Sequence, residues 1–561
     1  MQEDKAIDEI SPKETQNKDK GELSEDTVTL EHVEDEPAPH LHLKTFLIVA
    51  AVSFLSFAQL IQLVATGVFA GTVALAVGGG ANSSWMLSSL TITFVVLAPP
   101  VSQAADYWGR RWLLIILSFL GCVGTIITSR ANSMGMAITG EVFVGAAFAA
   151  TPLQFAVASE VLPRRQRLAG QASINALEVT KSKAGGTGSI FALLAGAKFV
   201  DVYGLQGFRY AGIFAIAAFV CYALYRPPVL ELQKSLNTSQ KLRRLDWCGY
   251  AITMCAVVLF SMGLSWANNP YPWSDAHVLA PFLLGVAMFV LLAIYCWKIK
   301  KDSFIPHALF SRDRNLAISL FSIFCEGLVF AAANIYVPTQ TAVLYEPTSL
   351  GVSLVFTICL ICYVVFSPIT ALICYKFRNL RSLNVMGFVF LLTWAICMAT
   401  TSLGSTSAVW GYQAILGVAL AFILNAVVAS AQLSAPPELI SITSGLVAGI
   451  RSLGVTLGVA IYTAIFHSRI TNLLASKVSA ASLENGLPGS SVPALILGLS
   501  SGDPDQLAAV PGITPGIISA AARAFQEAYL GSFKSVWIAA SCLSACGLIG
   551  MFANLMHRIA G

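Results

Sequence analysis

The chain has 561 residues, of which 56% are hydrophobic and 11% charged, with a mean hydropathy of +0.71 and a formal net charge of +4. A soluble domain carries about a quarter charged residues, so this composition excludes one, and with no basic stripe the small net charge offers nothing to nucleic acid. Apolar runs of about 20 residues recur along nearly the whole length, each able to cross a hydrocarbon core about 30 Å thick. Lipid offers the backbone no hydrogen-bond partners, so these runs are helices and the chain is an all-α integral membrane protein.

Residues 1–43 are polar and acidic and read as a disordered cytoplasmic tail, unable to bury enough apolar surface to fold. No basic segment leads into a short apolar one there, so the tail does not have the form of a cleaved signal. Spans are expected near 46–75, 85–105, 112–130, 135–161, 168–197 and 208–226. A polar linker, 227–245, separates them from spans near 246–266 and 277–298. Five more follow near 315–338, 350–374, 381–402, 408–432 and 443–466, and a last near 535–556, which makes fourteen. Segment 467–534 is read as a long extracellular loop, a Pro- and Gly-rich cap in preference to a re-entrant or surface helix; the last helix and a short cytoplasmic end occupy 535–561.

Short loops on the side of the tail hold eighteen Lys and Arg, among them Arg110, Arg111, Arg164, Arg165, Arg243 and Arg244, whereas those on the other side hold Arg130, Lys198 and Arg209. Basic residues stay on the cytoplasmic side, so both termini are expected inside, with the plasma membrane as the expected host.

Catalytic and cofactor signals are missing from the pattern. His32, His40, His42, His277, His307, His467 and His557 lie in the tail or near loops, and none forms an H-x-x-x-H pair. No G-x-x-x-x-G-K-[ST] occurs. Cys359 and Cys362 form a C-x-x-C inside an apolar run without His or acidic neighbours, which suits two small fillers better than a metal or redox site. No enzyme activity, metal or cofactor is expected.

A charged island, "SQAADYWGRRWLL" at 102–114, interrupts the apolar pattern. Gly109 permits a tight turn, and Asp106, Arg110 and Arg111 can form a network that latches one state of a cytoplasmic gate. The island resembles the loop motif of the major facilitator superfamily at Ala105, Asp106, Gly109, Arg110 and Arg111, with Ser102 replacing the motif's first Gly. "ASEVLPRRQRLAGQAS" at 158–173 is similar to the family's Glu-and-Arg loop, with Glu160 paired to Arg164 or Arg165. Segments 245–278 and 449–466 resemble the seventh and thirteenth helices of the fourteen-helix drug:proton antiporter branch, and 507–540 looks like the outer loop of fungal trichothecene-type efflux pumps. Two departures stand out. Glu141 lies near the place of the branch's fourth-helix Arg, and "GGTGSIFALLAGAKFV" lacks the Pro of the antiporter motif in helix five.

The resemblance implies a major facilitator superfamily fold with 14 transmembrane helices: an N-terminal six-helix bundle at 44–226, two extra helices at 246–298, and a C-terminal bundle made of 299–466 with the last helix. It implies a monomeric secondary transporter that exports a small, moderately hydrophobic toxin, drug or secondary metabolite in exchange for protons. The alternative is proton-coupled uptake of a small molecule such as a ferric siderophore.

Ionisable groups at membrane depth cost about 2.5–3.5 kcal/mol on insertion scales, so each needs a reason. Glu141 and the mid-span Glu326 are candidates for the coupling proton. Glu178 can serve likewise or pair with Lys181, three residues on and on the same helix face; Lys181 is otherwise a contact for an anionic substrate group. Gln59 and Gln62 share a face and can line a central cavity, with Asn334 and Asn425 as further cavity or interhelical hydrogen-bonding groups. Arg451 reads either as a cavity residue or, preferred, as an interface anchor or a gate partner for the loop after the twelfth helix, near the cytoplasmic start of its span. Phe54, Phe57, Phe330, Tyr336, Trp394 and Trp410 are candidate cavity walls.

Overall fold

The structure is a computed structural model; it describes scattered positions from 47 to 77, then 83–154, 157, 211–225, 237–268, 271–300, 314–345, 348–377, 380–434, 440–501, 507 and 510–552. The tail, the expected fifth span and most of the linker lie outside the described residues.

The first span is helical at its described positions between 47 and 74. It is followed by α1 (Ser84–Trp108), which carries Pro99 and Pro100. Gly109 ends α1 with φ at 92°, a conformation glycine adopts without steric cost, and its N–H donates to the Ala105 carbonyl at 2.9 Å. The chain therefore turns at once into α2 (Arg110–Ser129). In α3 (Met134–Phe148) the Ser133 side chain caps the first turn by accepting from the Met136 N–H. Next come α4 (Ala211–Leu224) and a short basic helix, α5 (Thr238–Arg244), opened by a capping box between Asn237 and Gln240.

Two helices, α6 (Trp247–Trp266) and α7 (Ala276–Ile294), form a hairpin, with Asp246 and Asp275 as their N-caps. A π turn, Tyr295–Ile299, extends α7. The remaining helices are α8 (Arg314–Leu344), α9 (Ser349–Phe377), α10 (Leu380–Ala399), α11 (Thr406–Leu433), α12 (Ile440–Glu484), α13 (Val492–Ser501) and α14 (Pro515–Phe552). Among the described residues, eleven helices are long and apolar enough to cross a membrane. Their outward faces carry large apolar side chains such as Trp297 and Ile549, which are 74% and 68% exposed and suited to lipid.

Packing groups the helices. The first span joins α1 to α4 around Leu55, Ala58, Leu114, Leu153 and Phe214. Helices α8 to α12 and α14 pack around Phe356, Phe388, Trp394, Tyr462 and Trp537. One hydrophobic cluster crosses between the groups, placing Leu90, Phe94 and Phe148 with Phe330 and Val455, and α1 lies along α12. The hairpin closes through Gly263 against Phe282 and Gly285 against Phe260, and it docks by α6 on both α1 and α12. The two extra helices thus sit over the seam where the groups meet.

The reading of 467–534 as a Pro- and Gly-rich cap needs correction. Helix α12 continues to Glu484 and α14 starts at Pro515, so most of this segment is helical. Ile517, Ala521 and Ala524 recur at helical spacing and are buried, and with Val478, Leu495 and Val510 they build a core for the segment itself. Pro504, Pro511 and Pro515 obscure that periodicity in the sequence. Pro515 in fact opens α14, where its missing N–H costs nothing, and the Thr514 hydroxyl caps the same turn by accepting from the Ile517 N–H.

Candidate functional site

A cavity of about 220 Å³ lies where the two groups of helices face each other. The first span and α3 contribute a neutral polar wall. Gln154 donates to Gln59 Oε1 at 3.0 Å, Thr151 donates to the same oxygen at 3.2 Å, and Gln59 Nε2 donates to the Ala147 carbonyl at 2.8 Å. Ser56 donates to the Gln154 amide oxygen and completes the row. All four side chains line the cavity, with Phe94 and Phe148 beside them.

The opposite wall carries a charge. Arg451 of α12 lines the cavity and grips Glu326 of α8 bidentately, Nε to Oε2 at 2.7 Å and Nη2 to Oε1 at 2.9 Å. Glu326 is fully buried behind it, whereas the Arg451 side chain is 23% exposed. The guanidinium also sits over the Phe330 ring, 4.8 Å from its centroid, and that ring lines the cavity too. Close approach of α8 and α12 makes this geometry possible. A Cβ on Gly327 would fall 2.2 Å from the Arg451 carbonyl oxygen, and Gly454 lies equally tight on the Phe324 carbonyl, so glycine at both lets the backbones touch. Arg451 stands three turns inside α12, which begins at Ile440. That depth, and a carboxylate within reach, make it a cavity residue and not the cytoplasmic anchor preferred from sequence.

Glu141 lies one layer behind the neutral wall. It is fully buried and accepts from Gln62 Nε2 at 2.7 Å, while Gln62 also donates to the Thr66 hydroxyl at 3.3 Å. Among the described residues no cation meets Glu141. Its Oε2 and the Gln62 Oε1 have no hydrogen-bond partner there, so the cluster is short of a donor.

Other candidates fall elsewhere. Gln62 shares a helix face with Gln59 but is turned by about 60° from it, enough to bring its amide onto Glu141 and off the cavity wall. Asn334 donates to the Leu63 carbonyl at 3.3 Å and packs against Gly67, joining α8 to the first span beyond the cavity. Asn425 donates to the Ser367 hydroxyl at 2.8 Å and ties α11 to α9. Of the aromatic candidates, Phe330 lines the cavity, while Tyr336, Trp394 and Trp410 belong to the core of the second group. Cys359 and Cys362 are free thiols in α9, packed where Gly417 brings α11 close.

In the charged island, Gly109 makes the turn and Arg111 folds back onto α4. Its Nη2 donates to the Tyr222 carbonyl at 2.6 Å, and the guanidinium lies 5.6 Å from the rings of both Trp112 and Tyr222. Arg110 heads α2 beside it. Asp106 falls in the last turn of α1; its side chain, with Glu160, Arg164, Arg165, Glu178, Lys181, Phe54 and Phe57, lies outside what is described. Gly445 of α12 packs against Ser102 and Pro152, so the island's helix meets the second group directly. Sequence reasoning missed Ser56, Thr151, Gln154 and Tyr363. For Gln154 the signal was available, since an amide in an otherwise apolar run is the criterion that picked Gln59.

On the outer flank of this seam, α6 is pinned by polar contacts. The Tyr250 hydroxyl donates to Gln103 of α1, and the Asp246 carboxylate accepts from Tyr295 at 2.6 Å and from Lys300 at 3.2 Å. Burial opposes ionisation of Asp246, but the bonds from Tyr295, the Gly249 N–H and Lys300 prevail and hold it below the usual carboxylate range.

Comparison with known proteins agrees with this architecture. The chain is 23% identical over 474 residues to the MFS-type transporter ucsD of an Acremonium species, covering 84% of this chain and 77% of that one. It is 22% identical over 501 residues to the trichothecene efflux pump TRI12 of Fusarium sporotrichioides, covering 86% and 80%. With the MFS efflux transporter aclA of Aspergillus oryzae it shares 26% over 454 residues, or 78% of each chain. Among solved structures, a bacterial homologue of the human lysosomal transporter Spinster, inward-facing and occupied, superposes with a TM-score of 0.55 at 13% identity, covering 91% of this chain and 98% of that one. The human organic anion transporter MFSD10 gives 0.52 at 12%, covering 88% and 99%. Residues 46–459 match the Major Facilitator Superfamily profile, and on this match, with a helical fold around one shared cavity, the chain belongs to that superfamily as a multi-pass membrane transporter.

Proposed function

We propose that this protein exports a small, moderately hydrophobic toxin, drug or secondary metabolite in exchange for protons, by alternating access across fourteen spans. The cavity carries the reading: residues of both helix groups wall it, so rocking one group on the other exposes it to either side in turn. Efflux is favoured over uptake because several relatives at similar distance carry efflux in their names. Both termini are placed in the cytoplasm and the protein in the plasma membrane, on the strength of the basic residues gathered on one side. It works as a monomer.

The two buried acids have different roles in this reading. Glu326 is paired bidentately with Arg451. Glu141 has amide and hydroxyl neighbours, and a proton on Oε2 supplies the donor its cluster lacks. Deprotonated, it accepts from Gln62 and leaves Oε2 and the Gln62 oxygen facing each other unmatched; protonated, it both accepts from and donates to Gln62 and so ties the first span more firmly to α3, three residues from Gln59 in the cavity wall. Proton and substrate therefore act on one helix, which lets each bias the same transition. The island with Asp106, Gly109 and Arg110, and the loop with Glu160, Arg164 and Arg165, serve as the gate on the cytoplasmic side.

The test is flux in proteoliposomes under an imposed pH gradient, with a panel of apolar fungal metabolites including a trichothecene. Wild-type protein accumulates a substrate against its gradient, with protons moving the other way. Glu141→Gln retains downhill exchange and loses accumulation. If substrate and protons move together, the protein is an importer; if Glu141→Gln still concentrates substrate, that carboxylate does not carry the coupling proton.

A further inference from the structure

Resting on the transport reading above, we infer that Arg451 sets the substrate's chemical class: an uncharged molecule with an exposed hydrogen-bond-accepting oxygen, such as an ester, lactone or ketone, in preference to a lipophilic cation. Arg451 is the one charged side chain among the described residues that line the cavity. Its bonds to Glu326 use Nε and Nη2, and among the described residues no acceptor is paired with the Nη1 hydrogens. Glu326 is fully buried and does not line the cavity, so a ligand meets the positive end of a neutral ion pair and not its carboxylate.

That asymmetry ranks ligands. A neutral carbonyl accepts from Nη1 and leaves the pair intact. A cation meets the guanidinium, and among the described lining residues no carboxylate offsets it. An anion is drawn to Arg451 but adds a net charge to the site unless Glu326 takes a proton, which couples that anion to a proton travelling the same way. Phe330, under the guanidinium, fixes its plane and offers the ligand's apolar body a face beside the donor. On the opposite wall the amide oxygens of Gln59 and Gln154 are already engaged by Thr151, Gln154 and Ser56, so that wall offers a cation little.

A matched trio on one scaffold tests this: methyl 1-naphthoate, 1-naphthoate and 1-naphthylmethylammonium, each titrated against the purified full-length protein in lipid nanodiscs. Wild type binds the ester about tenfold more tightly than the cation, as expected for one hydrogen bond from a charged donor. In Glu326→Gln the unpaired guanidinium takes the naphthoate about tenfold more tightly than wild type does. Arg451→Gln strands a buried carboxylate and can fail to fold, so the decisive variant is Glu326→Gln with Arg451→Gln, which removes both charges; it binds ester and cation within about threefold of each other. Equal wild-type affinity for ester and cation overturns the inference. So does an unchanged ranking in the double variant, or no binding of the ester. The pH-gradient flux assay keeps the two claims apart: antiport with a cation preference sinks this inference alone, and an ester preference without antiport sinks the coupling alone.

Discussion

The Glu326–Arg451 pair predicts an ordered set of stabilities. Removing one partner of a buried ion pair costs about 3–5 kcal/mol, because the other charge is left uncompensated. The two removals are not equivalent here. Arg451→Gln strands Glu326, which is fully buried, whereas Glu326→Gln strands Arg451, 23% exposed to the cavity and stacked on Phe330. Cavity water hydrates the stranded guanidinium but cannot reach the stranded carboxylate. Arg451→Gln should therefore cost about 4–5 kcal/mol and Glu326→Gln about 2–3 kcal/mol, with the first at the upper end of the buried-pair range and the second discounted for solvation. The double variant leaves two amides able to bond each other and should cost less than Arg451→Gln alone. The coupling in this cycle is then at least about 2 kcal/mol, as for residues that share one network. Equilibrium unfolding of the full-length protein by SDS titration measures all four states. Equal costs for the two single changes, or a double variant that costs their sum, would refute the account of a cavity-facing cation with its carboxylate buried behind it.

Other parts of the fold can be tested in the same way. Gly327→Ala puts a methyl 2.2 Å from the Arg451 carbonyl, so α8 and α12 must separate, at about 1–3 kcal/mol in the unfolding titration and with weaker ligand binding. Gly109→Ala forces φ near 92° and ψ near 152°, a region essentially reserved for glycine, and should cost about 1–3 kcal/mol while leaving both flanking helices intact by circular dichroism. Asp246→Asn should cost about 1.5–3 kcal/mol at neutral pH. Because the folded carboxylate is held below its usual value, that stabilisation is complete above about pH 4 and fades as pH falls and the group takes a proton, so wild type and variant should converge in acid unfolding. Backbone amides at 467–484 and 515–534 should resist hydrogen exchange as helices with a core do; exchange within seconds would restore the picture of an irregular cap.

Hydropathy made most of the architecture readable, because lipid leaves a spanning backbone no alternative to the helix, and eleven of the described helices stand where apolar runs predict them. What hydropathy could not supply was rotation. Gln59 and Gln62 look equivalent in sequence, yet one opens on the cavity and the other on Glu141, and only the packed neighbours distinguish them. Arg451 was misjudged for a related reason. The expected start at 443 already set the residue two turns into the span, but the carboxylate that balances it is 125 residues away in the chain. The segment at 467–534 was misread because five prolines and several glycines outweighed the helical recurrence of small apolar residues, whose partners come from both flanking helices.

The arginines of the charged island also have separate roles, as a second site in the same chain shows. Arg111, the second residue of α2, donates to a carbonyl in the last turn of α4. Arg381, the second residue of α10, donates to the Phe552 carbonyl at the end of α14, at 2.9 Å. Within its group α10 stands third and α14 last, as α2 and α4 do in theirs. Both arginines therefore satisfy carbonyls that a helix C-terminus leaves without partners, and both place a positive charge where the helix dipole favours one. The same device in both halves fits a fastening inside each half, which moves with it and need not break when the halves part. A latch has to break, so the gating role proposed for the island belongs to residues that can face the other half. Helix α1 is placed for that role, because Ser102 meets Gly445 of α12 one turn before Asp106. Tyr250 then ties the extra hairpin to the same stretch through Gln103. Any motion that parts α1 from α12 at the end that carries the island must therefore also move α6, which lies on both.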